Sequence, residues 1–112
     1  MICATKAVGD WTHVRDVPDP KELFREMCNC ECRVLDLHSN APGLSALTHN
    51  EPDIDAGINL EVSGTLLYGS IVFVNVVEGE LTSLTDSQLD LLSRYVNLGR
   101  PLVKEGGGNV GG

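Results

Sequence analysis

The chain predicts an α+β fold, with a mainly antiparallel sheet of about five strands and two helices packed on one face. Three observations lead there. The run Ile71-Val72-Phe73-Val74-Asn75-Val76-Val77 is β-branched and aromatic and apolar at nearly every residue, which suits a central strand covered on both faces. Downstream, Thr85 and Gln88 have the spacing of a capping box, with Leu84 and Leu89 placed to form a hydrophobic staple. Upstream, short β-type runs alternate with Gly, Pro and Asn turn signals.

Taken in order, 2–8 alternates as a strand, and Gly9-Asp10 has the Gly-first form of a two-residue hairpin turn. The returning strand covers 11–15, with Trp11, the only tryptophan, as a packing anchor. Val17-Pro18-Asp19-Pro20 closes the hairpin and opens a helix over 19–29. Asp19 is its N-cap, Pro20 its first helical residue and Glu22 the reciprocal cap. Leu23, Phe24, Met27 and Cys28 form its buried face. A strand over 32–38 follows, and Asn40-Ala41-Pro42-Gly43 is a turn. Residues 44–50 lead into the acidic loop Glu51-Pro52-Asp53-Ile54-Asp55, and 58–62 is a further short strand turned by Ser63-Gly64. The central strand over 70–77 is followed by a helix over 85–98. Leu89, Leu92, Tyr95 and Val96 make its apolar stripe, and Leu91 and Leu98 widen it. Arg94 lies in its last turns, Gly99 fits a C-terminal cap and Pro101 prevents continuation. Residues 1–104 form a single domain, and 105–112 a flexible Gly-rich tail.

A chain of 112 residues with 42 % apolar content is long enough for one core. With 4 % aromatics, that core must be filled by aliphatic side chains. No run of about 18 apolar residues is present, which argues against a membrane span. The N-terminus lacks the basic-then-apolar pattern of a signal peptide, so a cytoplasmic protein is expected. A formal charge of −8, with only eight scattered Lys and Arg, disfavours direct nucleic-acid binding, because phosphate contacts need clustered cations. A surface kept soluble by like charge is the simple reading; an acidic face that blocks a basic protein is the rival.

Cys28, Cys30 and Cys32, with Cys3, His13, His38 and His49 as further ligands, invite a metal hypothesis. Structural zinc uses two paired knuckles, and only one irregular cluster is present, so the cysteines are read as structural thiols and no metal or other cofactor is expected. Asp53 and Asp55 do not meet the EF-hand pattern. No nucleophile elbow, zinc-protease pair, phosphate loop or dinucleotide fingerprint occurs, so an enzyme is disfavoured.

From Asp36 onward the residues carry a family pattern. Asn40, Gly43-Leu44, Asn50, Gly64, Tyr68-Gly69-Ser70, Glu78-Gly79-Glu80 and Ser83-Leu84-Thr85-Asp86-Ser87-Gln88 fall in its order. Over roughly 36–95 the chain resembles the small domain-of-unknown-function proteins of bacteriophages, plasmids and some bacteria. That resemblance implies a mobile-element setting in a host cytoplasm, and it supplies no catalytic residues. The expected function is a non-catalytic counter-defence protein that sequesters a small nucleotide-derived immune signal. The polar residues Asn40, Thr48, His49 and Asn50 would read a base or ribose, and Arg33, Arg94 and Arg100 would bind phosphate. The alternative is an acidic inhibitor, or nucleic-acid mimic, that contacts a host defence protein through Glu51, Asp53, Asp55, Glu78 and Glu80. The apolar central strand, with helices supplied to one face only, also predicts a homo-oligomer.

Overall fold

The computed structural model describes residues 1–37, 39–51, 54–62 and 64–96. The expectations placed on His38, Asp53, Leu98, Gly99, Arg100, Pro101 and the tail from 105 lie outside the described residues. Among the described residues there are eight strands: β1 (Ile2–Lys6), β2 (Thr12–Asp16), β3 (Cys32–Asp36), β4 (Leu44–His49), β5 (Ile58–Val62), β6 (Thr65–Tyr68), β7 (Ile71–Val77) and β8 (Glu80–Thr82). Helix α1 spans Pro20–Cys28, and α2 spans Asp86–Leu91 and continues as a π-helical turn over Leu92–Val96.

The fold class is α+β, built on a six-stranded sheet in the order β2-β1-β7-β4-β3 with β8 also paired to β7. Every pairing among the described strands is antiparallel. β7 is the central strand, and Ile71, Val72, Phe73 and Val74 are all fully buried. Along one side of β7, β1 pairs with its first half and β8 with its second; β4 runs along the other side.

Alternation along β7 divides the core in two. Ile71 and Phe73 belong to a cluster with Ala4, Ala46, Leu60, Val62, Leu67, Leu84, Leu92 and Val96. This face is covered by α2, its π-helical turn and the separate β5–β6 hairpin. Val72 and Val74 point the other way, into a cluster with Cys3, Leu47, Leu23 and Phe24 from α1. The two helices therefore lie on opposite faces, which corrects the one-face placement. The chain path explains it: α1 links β2 at one edge to β3 at the other and has to cross the sheet, whereas α2 emerges from β8 on the far side. Since the chain itself covers both faces of β7, an uncovered face gives no motive for self-association.

The N-caps follow the sequence, but Glu22, expected as the reciprocal cap of α1, accepts from Arg25 Nη1 at 2.7 Å instead. Asp19 accepts from the Lys21 amide at 3.0 Å, and Asn29 closes α1 in the left-handed region. Thr85 and Gln88 form the reciprocal capping box of α2, with Gln88 Oε1 accepting from the Thr85 amide at 2.9 Å and Thr85 Oγ1 from the Gln88 amide at 3.2 Å. Gln88 does more than cap. It is 1 % exposed, and its Nε2 donates to Asn75 Oδ1 at 2.8 Å and to the Pro42 carbonyl at 3.1 Å. One side chain thus joins α2 to the central strand and to the β3–β4 turn. Gly43 permits this approach: its φ is +88°, and a Cβ there would collide with the Asn75 side chain.

Further local details differ from expectation, and Met27, expected on the buried face of α1, is exposed. The β1–β2 connection is longer than two residues, because Lys6 pairs with Thr12. The Asp10 carboxylate organises this loop by accepting from the Trp11 amide at 2.8 Å. That bond and the His13 contact at 3.1 Å hold its carboxyl below the usual range. Trp11 is 63 % exposed and anchors no core. Residues 44–49, 65–68 and 80–82 are strands, where the sequence suggested connecting segments.

Candidate functional site

The β3–β4 ladder sets Arg33 opposite Thr48 and Cys32 opposite His49. Arg33 Nε donates to Thr48 Oγ1 at 3.4 Å, a long contact. Thr48 is buried, His49 half-buried and Arg33 exposed. Beside them β6 contributes Leu66, Leu67 and Tyr68, which complete a small open crevice. Among the described residues that line it, Arg33 is the only Lys or Arg. The cavity measures about 20 Å³, room for one water-sized group.

The His49 ring is held on several sides. Its Nδ1 lies 3.2 Å from Cys30 Sγ. The Phe24 ring of α1 meets it edge-on, with centroids 5.4 Å apart at 71°. Its Nε2 lies against Gly69, where a Cβ would come within 2.7 Å, and Gly69 has a φ of +76°. Gly69 therefore leaves space for the imidazole.

The sequence-predicted site residues divide into groups. Arg33, Thr48 and His49 come together at this crevice. Asn50 follows directly at the same end of β4 and is exposed, without lining the crevice. Asn40 sits in the β3–β4 turn, at the opposite end of the ladder. Arg94 is on the π-helical turn and pairs with Asp90 at 3.0 Å. Arg100 lies outside the described residues. Sequence reasoning missed Tyr68 and Leu66, which come from a strand it did not foresee, and the contact between Cys30 and His49.

The thiols gather on the α1 face. Cys3 is fully buried, and Cys28, Cys30 and Cys32 pack partly buried against the same cluster. Burial raises the pKa of Cys3 and Cys32 above the ordinary thiol value. Among the described residues, no group of three or more His, Cys, Asp or Glu side chains is arranged to hold a metal ion.

A larger hollow of about 260 Å³ lies between the end of β2 and α1. Asp19, Glu22 and Glu26 line it together with Arg15, so its net charge is unsuited to an anion. Among the described residues, no helix is long and apolar enough to cross a membrane. Comparison with protein-family models, curated proteins and solved structures gives no match.

Proposed function

We propose that this chain is a non-catalytic binding protein of a phage or other mobile element, acting in the host cytoplasm, that captures a small nucleotide-derived signal. The observation that carries the reading is the convergence of Arg33, Thr48 and His49 beside Tyr68 at one open crevice. Arginine suits a phosphate through its planar set of donors. Tyr68, among the lining residues, offers an apolar face with a polar tip for a base or ribose. The overall −8 charge opposes an anionic ligand. Pairing of two copies through the edge strand β3, where Val34 is 44 % exposed, would bring a second Arg33 to the same region and offset that repulsion.

Isothermal calorimetry with ADP-ribose and cyclic nucleotides tests this on the wild type and on Arg33→Gln. A bound anion that loses about 10- to 100-fold in affinity in the variant is expected, the range for a charge-assisted hydrogen bond. Absence of heat with every nucleotide would overturn the reading.

A second reading, contact inhibition of a basic host protein, draws on the hollow lined by Asp19, Glu22 and Glu26. Binding through it would weaken with added salt and be lost on Glu22→Lys and Glu26→Lys, while Arg33→Gln would leave it intact.

A further inference from the structure

An imidazole nitrogen, Nδ1 of His49, lies 3.2 Å from the Cys30 sulfur. The imidazole is fixed in place, with the Phe24 ring edge-on at 5.4 Å and the Gly69 backbone against Nε2. Cys30 itself is half-buried and lies in the link between α1 and β3. Cys3 is sealed in the core, and burial holds both Cys3 and Cys32 towards the neutral thiol. We propose that Cys30 is a reactive thiol served by His49, and that it is a site of oxidation by small peroxides.

The proton and electron balance is simple. His49 Nδ1 takes the Cys30 thiol proton, giving thiolate and imidazolium. The sulfur attacks one oxygen of hydrogen peroxide and the O–O bond breaks. The leaving hydroxide takes the proton from His49 and departs as water. Cys30 becomes a sulfenic acid, oxidised by two electrons, and the peroxide is reduced by two.

Titratable and charged groups flank the pair. Cys32 and Arg33 lie on β3, opposite His49 and Thr48 respectively, and Cys28 is at the end of α1. Glu31, the adjacent carboxylate, is engaged by Arg25 at 3.4 Å. His49, whose imidazole touches Cys30, is also one of the residues that line the crevice.

The test compares the folded protein with its own unfolded chain. Burial alone can only slow a thiol, so a thiol that reacts faster folded than unfolded has been activated. Alkylation by iodoacetamide at pH 7 is followed for each cysteine by peptide mass mapping, in buffer and in 8 M-class denaturant. An ordinary thiol is a few per cent thiolate at this pH, so full activation raises the rate by up to roughly 30-fold. Cys30 is expected to react about tenfold or more faster in the folded protein, with Cys3 and Cys32 slower than in the unfolded chain. His49→Gln should remove the acceleration and restore a rate that climbs towards ordinary thiol pH values. Hydrogen peroxide followed by dimedone should label Cys30 in the wild type and leave Cys30→Ser unlabelled. A Cys30 rate no greater folded than unfolded overturns the proposal even if His49→Gln fails to fold. So does a folded His49→Gln protein that reacts at the wild-type rate. Neither outcome bears on nucleotide binding, which is read separately.

Discussion

Replacing Gln88 with Glu changes one atom pair and should make stability strongly pH-dependent. In the wild type, Gln88 is buried, its Oε1 accepts from the Thr85 amide, and its Nε2 donates to two acceptors, Asn75 Oδ1 and the Pro42 carbonyl. A carboxylate would keep the first bond and point its second oxygen at two other oxygens. A neutral carboxyl could still donate to one of them. Burial and these acceptors both favour the neutral form, raising the folded pKa above the unfolded value of about 4.3 by as much as 3–5 units. The native state then binds more protons than the unfolded state over that interval. Stability is thus retained below about pH 4.3 and lost as pH rises, at about 1.4 kcal/mol per unit until the folded pKa is reached. At pH 7 the charge-linked loss is about 3–4 kcal/mol if the folded pKa is raised to 7 or beyond. Urea denaturation followed by circular dichroism, for wild type and variant between about pH 5.5 and 7.5, stays clear of the pI near 4.6. The stability gap should widen by about 1.4 kcal/mol per pH unit. A gap that is constant across this range would refute the account of Gln88 as a buried, two-acceptor donor.

Leu92→Ala removes a side chain that is 1 % exposed beneath the π-helical turn and should cost about 2–5 kcal/mol by denaturant titration. Gly43→Ala meets both a positive φ and the Asn75 side chain, whereas Gly79→Ala meets a positive φ with nothing within 4 Å. Thermal melts should therefore rank Gly43→Ala well below Gly79→Ala, whose cost should be about 1–2 kcal/mol. Lys6 is buried, and its Nζ donates to Asn59 Oδ1 at 2.6 Å while burial lowers its pKa from 10.5. The cost of its charge is present in full below the folded pKa and is relieved as pH rises from there towards 10.5, where the native state has lost the proton and the unfolded state has not. Stability relative to Lys6→Met should therefore move in the wild type's favour as pH is raised through that interval. A pH-independent difference would contradict this.

The parts of the molecule legible in the sequence are those governed by neighbours in the chain. Asp19-Pro20 and Thr85–Gln88 specify helix starts through bonds that span two to four residues, and they sit where their spacing predicts. The apolar run of β7 signals burial on both faces because no position alternates to solvent until Val76. β4 was less legible for a related reason. Both of its faces are also covered, yet Ser45 and Thr48 interrupt its apolar run, and their burial is tolerated only because the structure supplies partners such as the Gly43 carbonyl for Ser45. The short β6 and β8 carry too few residues for a pattern to show.

Within the candidate site, Arg33, Thr48 and His49 could be chosen by residue type, but their meeting depends on the register of β3 against β4. Tyr68 reaches them only because the β5–β6 hairpin folds over that face, and Cys30 meets His49 across 19 positions of chain. Such contacts leave no local periodicity. They depend on where the chain crosses the sheet, and that is decided by burying two opposite faces of one strand at once. Sequence alone determined the caps, the central strand and the net charge of −8. The tertiary structure decided which face each helix covers and which distant side chains meet, because burial couples residues that share no turn, helix or strand.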